Sequence, residues 1–441
     1  MLTSSHPRKL IVSLLTLALG MGVGAVSAAA SPAGLNGVQL WSYSQKELRD
    51  AAKAQPKDPQ KALELGIALR RAGLFNESYQ VLRKAYLRPS PSSASLRLEA
   101  ARSLQSQGEY KRALKECAGL KGNEVTFRVC RAEAQLMWKR ASLALEEAEK
   151  AVAADAGSYD AKVALGRAQK LSGKPDEAET TLAGAIAANS ARYEAHYELG
   201  QLYVKENKPR VKAVAAFRAA MKADGDVPEV LVELGEALKP GSESEGLFAA
   251  ALKIRPTYGE ALAGRGVSLL ALKKLDDAQK SLTEALKLDS KRSDWRVALG
   301  RVELEKGEHQ AALKSAQAAQ KLVKNDAAAK LLEADALAAL GDIDVAIEAY
   351  ELAYGYAHED PRPLVHAAKA CLEHDRPTTA RAFAERATQE YPKWGPAWVI
   401  AGDTAVAQKD KGPARAAYKR ALSAQGPVDK ADVKRKLAAL K

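Results

Sequence analysis

Aromatic side chains make up only 5% of the 441 residues, with five tryptophans and five phenylalanines. A nucleic-acid surface built on base stacking needs more of them, so no nucleic-acid partner is expected. Histidine is equally sparse, at 6 residues. His366 and His374 share one helical stretch, but eight residues of helix separate them by about 12 Å, too far to ligate one metal. They and His358 read as ordinary helix and loop residues. Gly173-Lys-Pro-Asp lacks the glycine spacing and the Lys-Ser/Thr of a phosphate loop. Acidic pairs such as Glu146-Glu147 and Asp276-Asp277 read as solvated charge. No Ser/His/Asp or Cys/His arrangement stands out. These absences argue against an enzyme, with no catalytic, metal or cofactor-binding residue to name.

Small residues are plentiful, and they recur. Gly66, Ala101, Ala132, Gly166, Gly200, Gly235, Gly266, Gly300, Ala334, Ala368 and Gly402 follow one another at gaps of 31 to 35 residues. Downstream of each lie one or two further alanines, as at Ala144 and Ala151, Ala178 and Ala185, Ala278 and Ala285, Ala346 and Ala353, and Ala414 and Ala421. Such a period means stacked helix pairs, each unable to bury its apolar face alone. Antiparallel helices approach to about 8–10 Å only where small side chains face each other. Leu182, Phe217, Phe248, Leu282, Tyr350 and Tyr418 fill the spaces between. Gly73, Gly108, Gly173, Gly307 and Gly341 punctuate the pairs, and Pro56, Pro256 and Pro392 end units because proline cannot continue a helix.

These residues together resemble the tetratricopeptide repeat family, over roughly residues 59–428. The resemblance implies an all-α fold, an α-solenoid forming a right-handed superhelix of about eleven helix pairs. It also implies that the first helix of each pair lines a concave face. The lining positions are then Val163, Tyr197, Val232 and Val297, followed by Leu331, Val365 and Val399. One turn further stand Arg167, Gln201, Glu236 and Arg301, with Arg102, Glu133, Asp335, Lys369 and Asp403 at the same place in other units. An apolar row beside a row of mixed charge suits a groove for a peptide or helix. The plainer reading is that the apolar row packs against the neighbouring helix. Members that grip acidic tails use an asparagine and lysines here, and the asparagine is absent.

Two short units, at 94–124 and 228–258, and an extra residue near Lys208 suggest a seam at 205–246. Residues 31–58 read as an N-terminal lead and a capping helix opened by Ser44-Gln-Lys-Glu47. Residues 429–441 read as a C-terminal capping helix with Val433, Leu437 and Leu440 on one face. Ahead of these, Arg8 and Lys9 precede an apolar run of 17 residues, Leu10 to Val26, and then Ser27-Ala-Ala-Ala30. That is the layout of a signal peptide over 1–30, the alternative being a retained anchor. No cysteine follows it to carry a lipid. The expected location is therefore outside the cytoplasm, in a bacterial periplasm. There Cys117 and Cys130 have two readings, a disulfide across one short loop or two thiols packed in helix cores, and the residues favour packing. Cys371 reads as packing.

The net charge of +13 is unevenly placed. Residues 361–441 hold 16 Lys/Arg against 8 Asp/Glu, and 409–441 hold 10 against 3. Lys430, Lys434, Arg435 and Lys436 are expected to face solvent as a contact for an anionic polymer or lipid head groups of the envelope. The expected function is a scaffold that binds another protein and supports an envelope complex, such as secretion, pilus, motility or outer-membrane machinery. The second reading is an accessory protein of exopolysaccharide synthesis or export.

Overall fold

The computed structural model describes residues 45–440. The expected signal peptide, the lead as far as Tyr43 and Ser44 of the expected capping box lie outside them. Twenty-four helices account for the described chain, with no strand among those residues, only one isolated bridge between Trp394 and Gln425. α1 (Gln45–Ala54) precedes eleven antiparallel pairs. The first five are α2 (Pro59–Arg71) with α3 (Phe75–Tyr86), α4 (Ser93–Ser106) with α5 (Tyr110–Ala118), α6 (Glu124–Met137) with α7 (Ala141–Ala154), α8 (Tyr159–Leu171) with α9 (Pro175–Ala188), and α10 (Tyr193–Lys205) with α11 (Arg210–Ala223). The next three are α12 (Pro228–Ala237) with α13 (Ser242–Ile254), α14 (Gly259–Ala271) with α15 (Leu275–Leu288), and α16 (Ser293–Glu305) with α17 (His309–Leu322). The last three are α18 (Ala327–Leu340) with α19 (Ile343–Tyr356), α20 (Arg362–Glu373) with α21 (Pro377–Glu390), and α22 (Gly395–Ala407) with α23 (Lys411–Ser423). α24 (Lys430–Ala438) closes the series. The chain divides into two compact units, Met1–Arg70 with Leu74–Glu198, and Arg71–Gly73 with Leu199–Lys441. Each is an α-solenoid.

The reason for the small residues is visible at most of the glycine contacts. A β-carbon added at Gly166 would lie 2.6 Å from Leu182 Cγ, and one at Gly266 would lie 2.6 Å from Leu282 Cγ. At Gly235 the obstacle is the Phe248 ring, 2.8 Å away. Phe217 stands over Gly200 and Tyr418 over Gly402 in the same manner. The alanines behind these large residues, Ala144, Ala178, Ala278, Ala346 and Ala414 among them, have no exposed surface.

The turn inside a pair follows one design in ten of the eleven. One or two residues past the first helix a residue takes a left-handed conformation, and the next N–H returns to a carbonyl five residues back. Examples are Glu109 N–H to Leu104 O at 2.9 Å and Asp342 N–H to Leu337 O at 3.0 Å. Gly108 and Gly341 adopt this conformation freely, but Lys139, Asn207, Lys273, Asp375 and Lys409 adopt it too, with φ between 49° and 61°. The sixth pair departs from the design. α12 ends at Ala237, and the Arg210 guanidinium donates to the carbonyls of Glu236, Ala237 and Leu238 instead.

α5 is a short second helix, 9 residues long, and Cys117 on it is bonded to Cys130 on α6, with Cα atoms 5.6 Å apart. The preference for packed free thiols is thereby corrected. Both cysteines are buried as expected, but the shortened pair brings their β-carbons face to face across the 119–123 loop. Cys371 is a buried free thiol in the core of the ninth and tenth pairs. At the C-terminal end Asp429 caps α24, accepting from Ala431 and Asp432 N–H at 2.9 and 3.0 Å. Val433 and Leu440 bury against Ala414, Tyr418 and Ala421, with Leu437 half-buried beside them.

Two substitutions test this packing. Ala346→Leu inserts a side chain where no surface is exposed and is expected to destabilise by about 1–3 kcal/mol, read as a lower urea midpoint. Cys117→Ala with Cys130→Ala opens a covalent loop of separation 13. Its expected loss is about 3 kcal/mol, and reductant should produce the same shift in the parent protein and none in the variant.

Candidate functional site

Along the first helices of the first unit, the row of mixed charge pairs with itself. Arg70 Nε donates to Glu99 at 3.1 Å, and Arg102 donates to Glu99 at 2.7 Å. Arg102 also grips both oxygens of Glu133, at 2.8 and 3.0 Å. Arg167 approaches Glu133 at 3.7 Å and bonds Glu198 at 2.5 Å, where Lys170 joins it at 2.5 Å. Glu99, Glu133 and Glu198 are all buried. Burial pushes the Glu99 carboxyl up, but Arg70 and Arg102 outweigh it and hold the group down at about 2. Arg167 and Lys170 likewise lower Glu198 against its burial. Arg102 and Arg167, expected in a partner-facing row, are rungs of an internal ladder. The pair Glu146-Glu147 needs the same correction, because Glu147 is buried and accepts from Arg128 and Arg131 at 2.9 and 2.8 Å.

Most of the apolar row is also inside. Val163, Val232 and Val297 are only 5%, 3% and 5% exposed, and Leu331 is 4% exposed. These were candidate groove contacts, and the structure corrects them to packing residues. Consecutive first helices touch one another, so a side chain as short as valine at this register is covered by its neighbours. Val297, for instance, packs with Ala316, Ala319, Ala329 and Leu332. Tyr197 stays half-buried. Gln201 donates to Glu233 at 3.0 Å. Glu236 is exposed as a residue, but partial desolvation of its carboxyl among neighbouring side chains, with Glu233 and Glu260 adding repulsion, raises it to about 7. Arg301 is exposed.

The row opens at the end of the second unit. Val365 on α20 and Val399 on α22 remain half-exposed. With Leu372, Ile400, Val428 and Val433 they line a cleft of about 400 Å³, walled on one side by α24. Lys369, Glu373, Asp403 and Asp432 stand at its rim. Asp403 is fully engaged, accepting from Tyr418 Oη at 2.7 Å and from Lys436 at 2.8 and 2.9 Å.

That ion pair also corrects the basic patch on α24. Lys430, Lys434 and Arg435 are exposed as expected, Arg435 in a surface ion pair with Asp432 at 2.5 Å. Lys436 is half-buried between Asp403 and Asp432, because one turn of helix carries it from solvent to the seam with α22. Among the described residues no group of His, Cys, Asp and Glu could hold a metal ion. His366 rests on Asp335 at 2.9 Å and His374 on the Ala338 carbonyl at 2.9 Å.

The repeat geometry defines a class of protein built from stacked helix pairs with a small-residue contact in each. A family model described as tetratricopeptide repeat matches residues 163–226, 263–329, 297–362 and 331–394. These segments are tetratricopeptide repeats, and such repeats indicate a protein-interaction scaffold. No curated protein matches the sequence. Among solved structures, a tetratricopeptide repeat protein from Parabacteroides merdae is 18% identical, over 56% of this chain and 98% of its own, with a TM-score of 0.48. Yeast Tom70 is 14% identical over 90% and 91%, with a TM-score of 0.45. The Cut9–Hcn1 hetero-tetramer of the APC/C is 16% identical over 91% and 87%, with a TM-score of 0.42.

The ladder makes an acid prediction. Glu99 falls from an ordinary 4.5 to about 2 on folding, so its stabilisation is complete above pH 4.5 and lost as pH drops towards 2. Glu99→Gln should destabilise the protein by about 2 kcal/mol near pH 7. Acid titration of helicity should show a shallower loss between those pH values in the variant than in the parent.

Proposed function

We propose that the protein is a non-enzymatic scaffold that holds an apolar segment of a partner protein in the cleft between α20, α22 and α24. One observation carries this reading. At the lining register Val163, Val232, Val297 and Leu331 are buried, whereas Val365 and Val399 are left half-exposed beside an open cleft. A concave apolar surface with a few polar groups at its rim suits an amphipathic helix or extended peptide. The rim charges are already matched, Lys369 against Glu373 and Lys436 against Asp403. Selection in this cleft therefore rests on apolar fit rather than on a charged tail.

The setting we propose is the bacterial envelope, after export directed by residues 1–30, with the scaffold supporting assembly of a secretion, pilus, motility or outer-membrane complex. The Cys117–Cys130 disulfide supports an oxidising compartment. Release of the chain into a periplasmic fraction without its first thirty residues is the expected result, and a full-length chain pelleting with membranes would oppose it. The α24 patch gives an exopolysaccharide role no support, since Arg435 and Lys436 are already paired.

A peptide selected from a random display library on the intact chain tests the cleft. Val399→Asp is expected to weaken its binding by about tenfold or more, the loss of one buried apolar contact plus the burial of a carboxylate, with helicity unchanged. Glu236→Gln, remote in sequence from the cleft, should leave binding as it was. If every selected peptide binds the Val399→Asp protein as tightly as the parent, the cleft is not the site.

A further inference from the structure

A second surface of the same unit carries a different chemistry. The second helices α11, α13, α15 and α17 each place a lysine two residues after the contact alanine. These are Lys222 after Ala220, Lys253 after Ala251, Lys287 after Ala285 and Lys321 after Ala319. Because each alanine is fixed at the same helix-pair contact, the lysines leave their helices at one register and recur along one edge of four consecutive pairs. All four are exposed. Among the described residues none of the four takes part in an ion pair, while the charges of the first helices are heavily paired.

The same edge exposes apolar side chains where a water-facing surface would be polar. Leu288 and Leu322, each next to a lysine of the row, are 49% and 40% exposed, and Val323 is 46% exposed. Lys291 and Lys324 extend the positive charge past them. Two of the nearby carboxylates are occupied in turning the chain. Asp289 accepts from Lys291 N–H at 2.9 Å, and Asp326 accepts from Ala328 and Ala329 N–H at 3.0 and 3.1 Å. A lysine in the last turn of a helix complements its dipole, which accounts for the charge but not for the leucines beside it.

We infer that this edge, from α11 to α17, rests on an anionic lipid bilayer. Unpaired ammonium groups flanking exposed branched side chains are the chemistry of an interfacial contact. Leu288, Leu322 and Val323 enter the boundary between head groups and acyl chains, and Lys287, Lys291, Lys321 and Lys324 meet the phosphates. A soluble polyanion would engage the lysines and leave the leucines in water. The contact is separate from the cleft at α20–α24 and leaves it open for a protein partner.

Co-sedimentation of the intact chain with vesicles tests this. Binding is expected to vesicles of phosphatidylcholine containing phosphatidylglycerol, weaker at high salt, and absent with phosphatidylcholine alone. Lys287→Glu with Lys321→Glu should lower the partition by about thirtyfold. Leu288→Ser with Leu322→Ser should lower it several-fold at low salt with helicity unchanged, since both side chains are exposed. No sedimentation of the parent chain with anionic vesicles overturns the inference, as does equal binding by either variant. Loss in the glutamate variant with full binding by the serine variant would instead assign the edge to a soluble polyanion.

Discussion

Everything in this fold depends on one contact, in which a large side chain of the second helix lies flat on a small residue of the first. Leu182 on Gly166, Phe217 on Gly200, Leu282 on Gly266 and Tyr418 on Gly402 are instances of it. The contact sets how closely the two helices of a pair approach and hence the pitch at which the next pair can stack. It also explains why the chain manages with so few aromatics. Where Phe217, Phe248, Tyr350 and Tyr418 occur in this register, they take the place that leucine holds elsewhere.

Regular stacking leaves the first helices shoulder to shoulder, and this decides what their exposed positions can do. In the first unit, neighbouring first helices bring arginines and glutamates within hydrogen-bond distance, so the charges close on one another from Arg70 to Lys170. Glu99, Glu133 and Glu198 are tolerable in burial because each has two cations. In the second unit the row is less self-sufficient, and the last pairs give way to a cleft that α24 bounds without filling. A solenoid must end in a helix with one polar face, and here the terminal helix also shapes the surface beside it.

The irregular pairs show the same economy. The sixth pair lacks the left-handed turn residue, and the carbonyls left at the end of α12 are taken by Arg210. The second pair has a short α5, and a covalent bond replaces the contacts that a full helix would have made. Each of the two short pairs is matched by a specific compensating interaction next to it.

The sequence by itself determined the fold class, the number of helix pairs and the identity of the contact residues. These follow from a period, and a period survives in one dimension. It also marked Val365 and Val399 as members of one register, and Lys369 and Asp403 as members of the next, one turn on. What it left open was which members of a register are covered. Val163, Val232 and Val297 share their phase with Val365 and Val399, yet three are buried and two line a cleft. Equally, Arg102, Arg167 and Lys436 are indistinguishable in sequence from solvated cations. Only the tertiary structure decided these, because burial and ion pairing depend on what the adjacent helix places opposite. That neighbour lies some thirty residues away, at a distance set by packing and not by the chain.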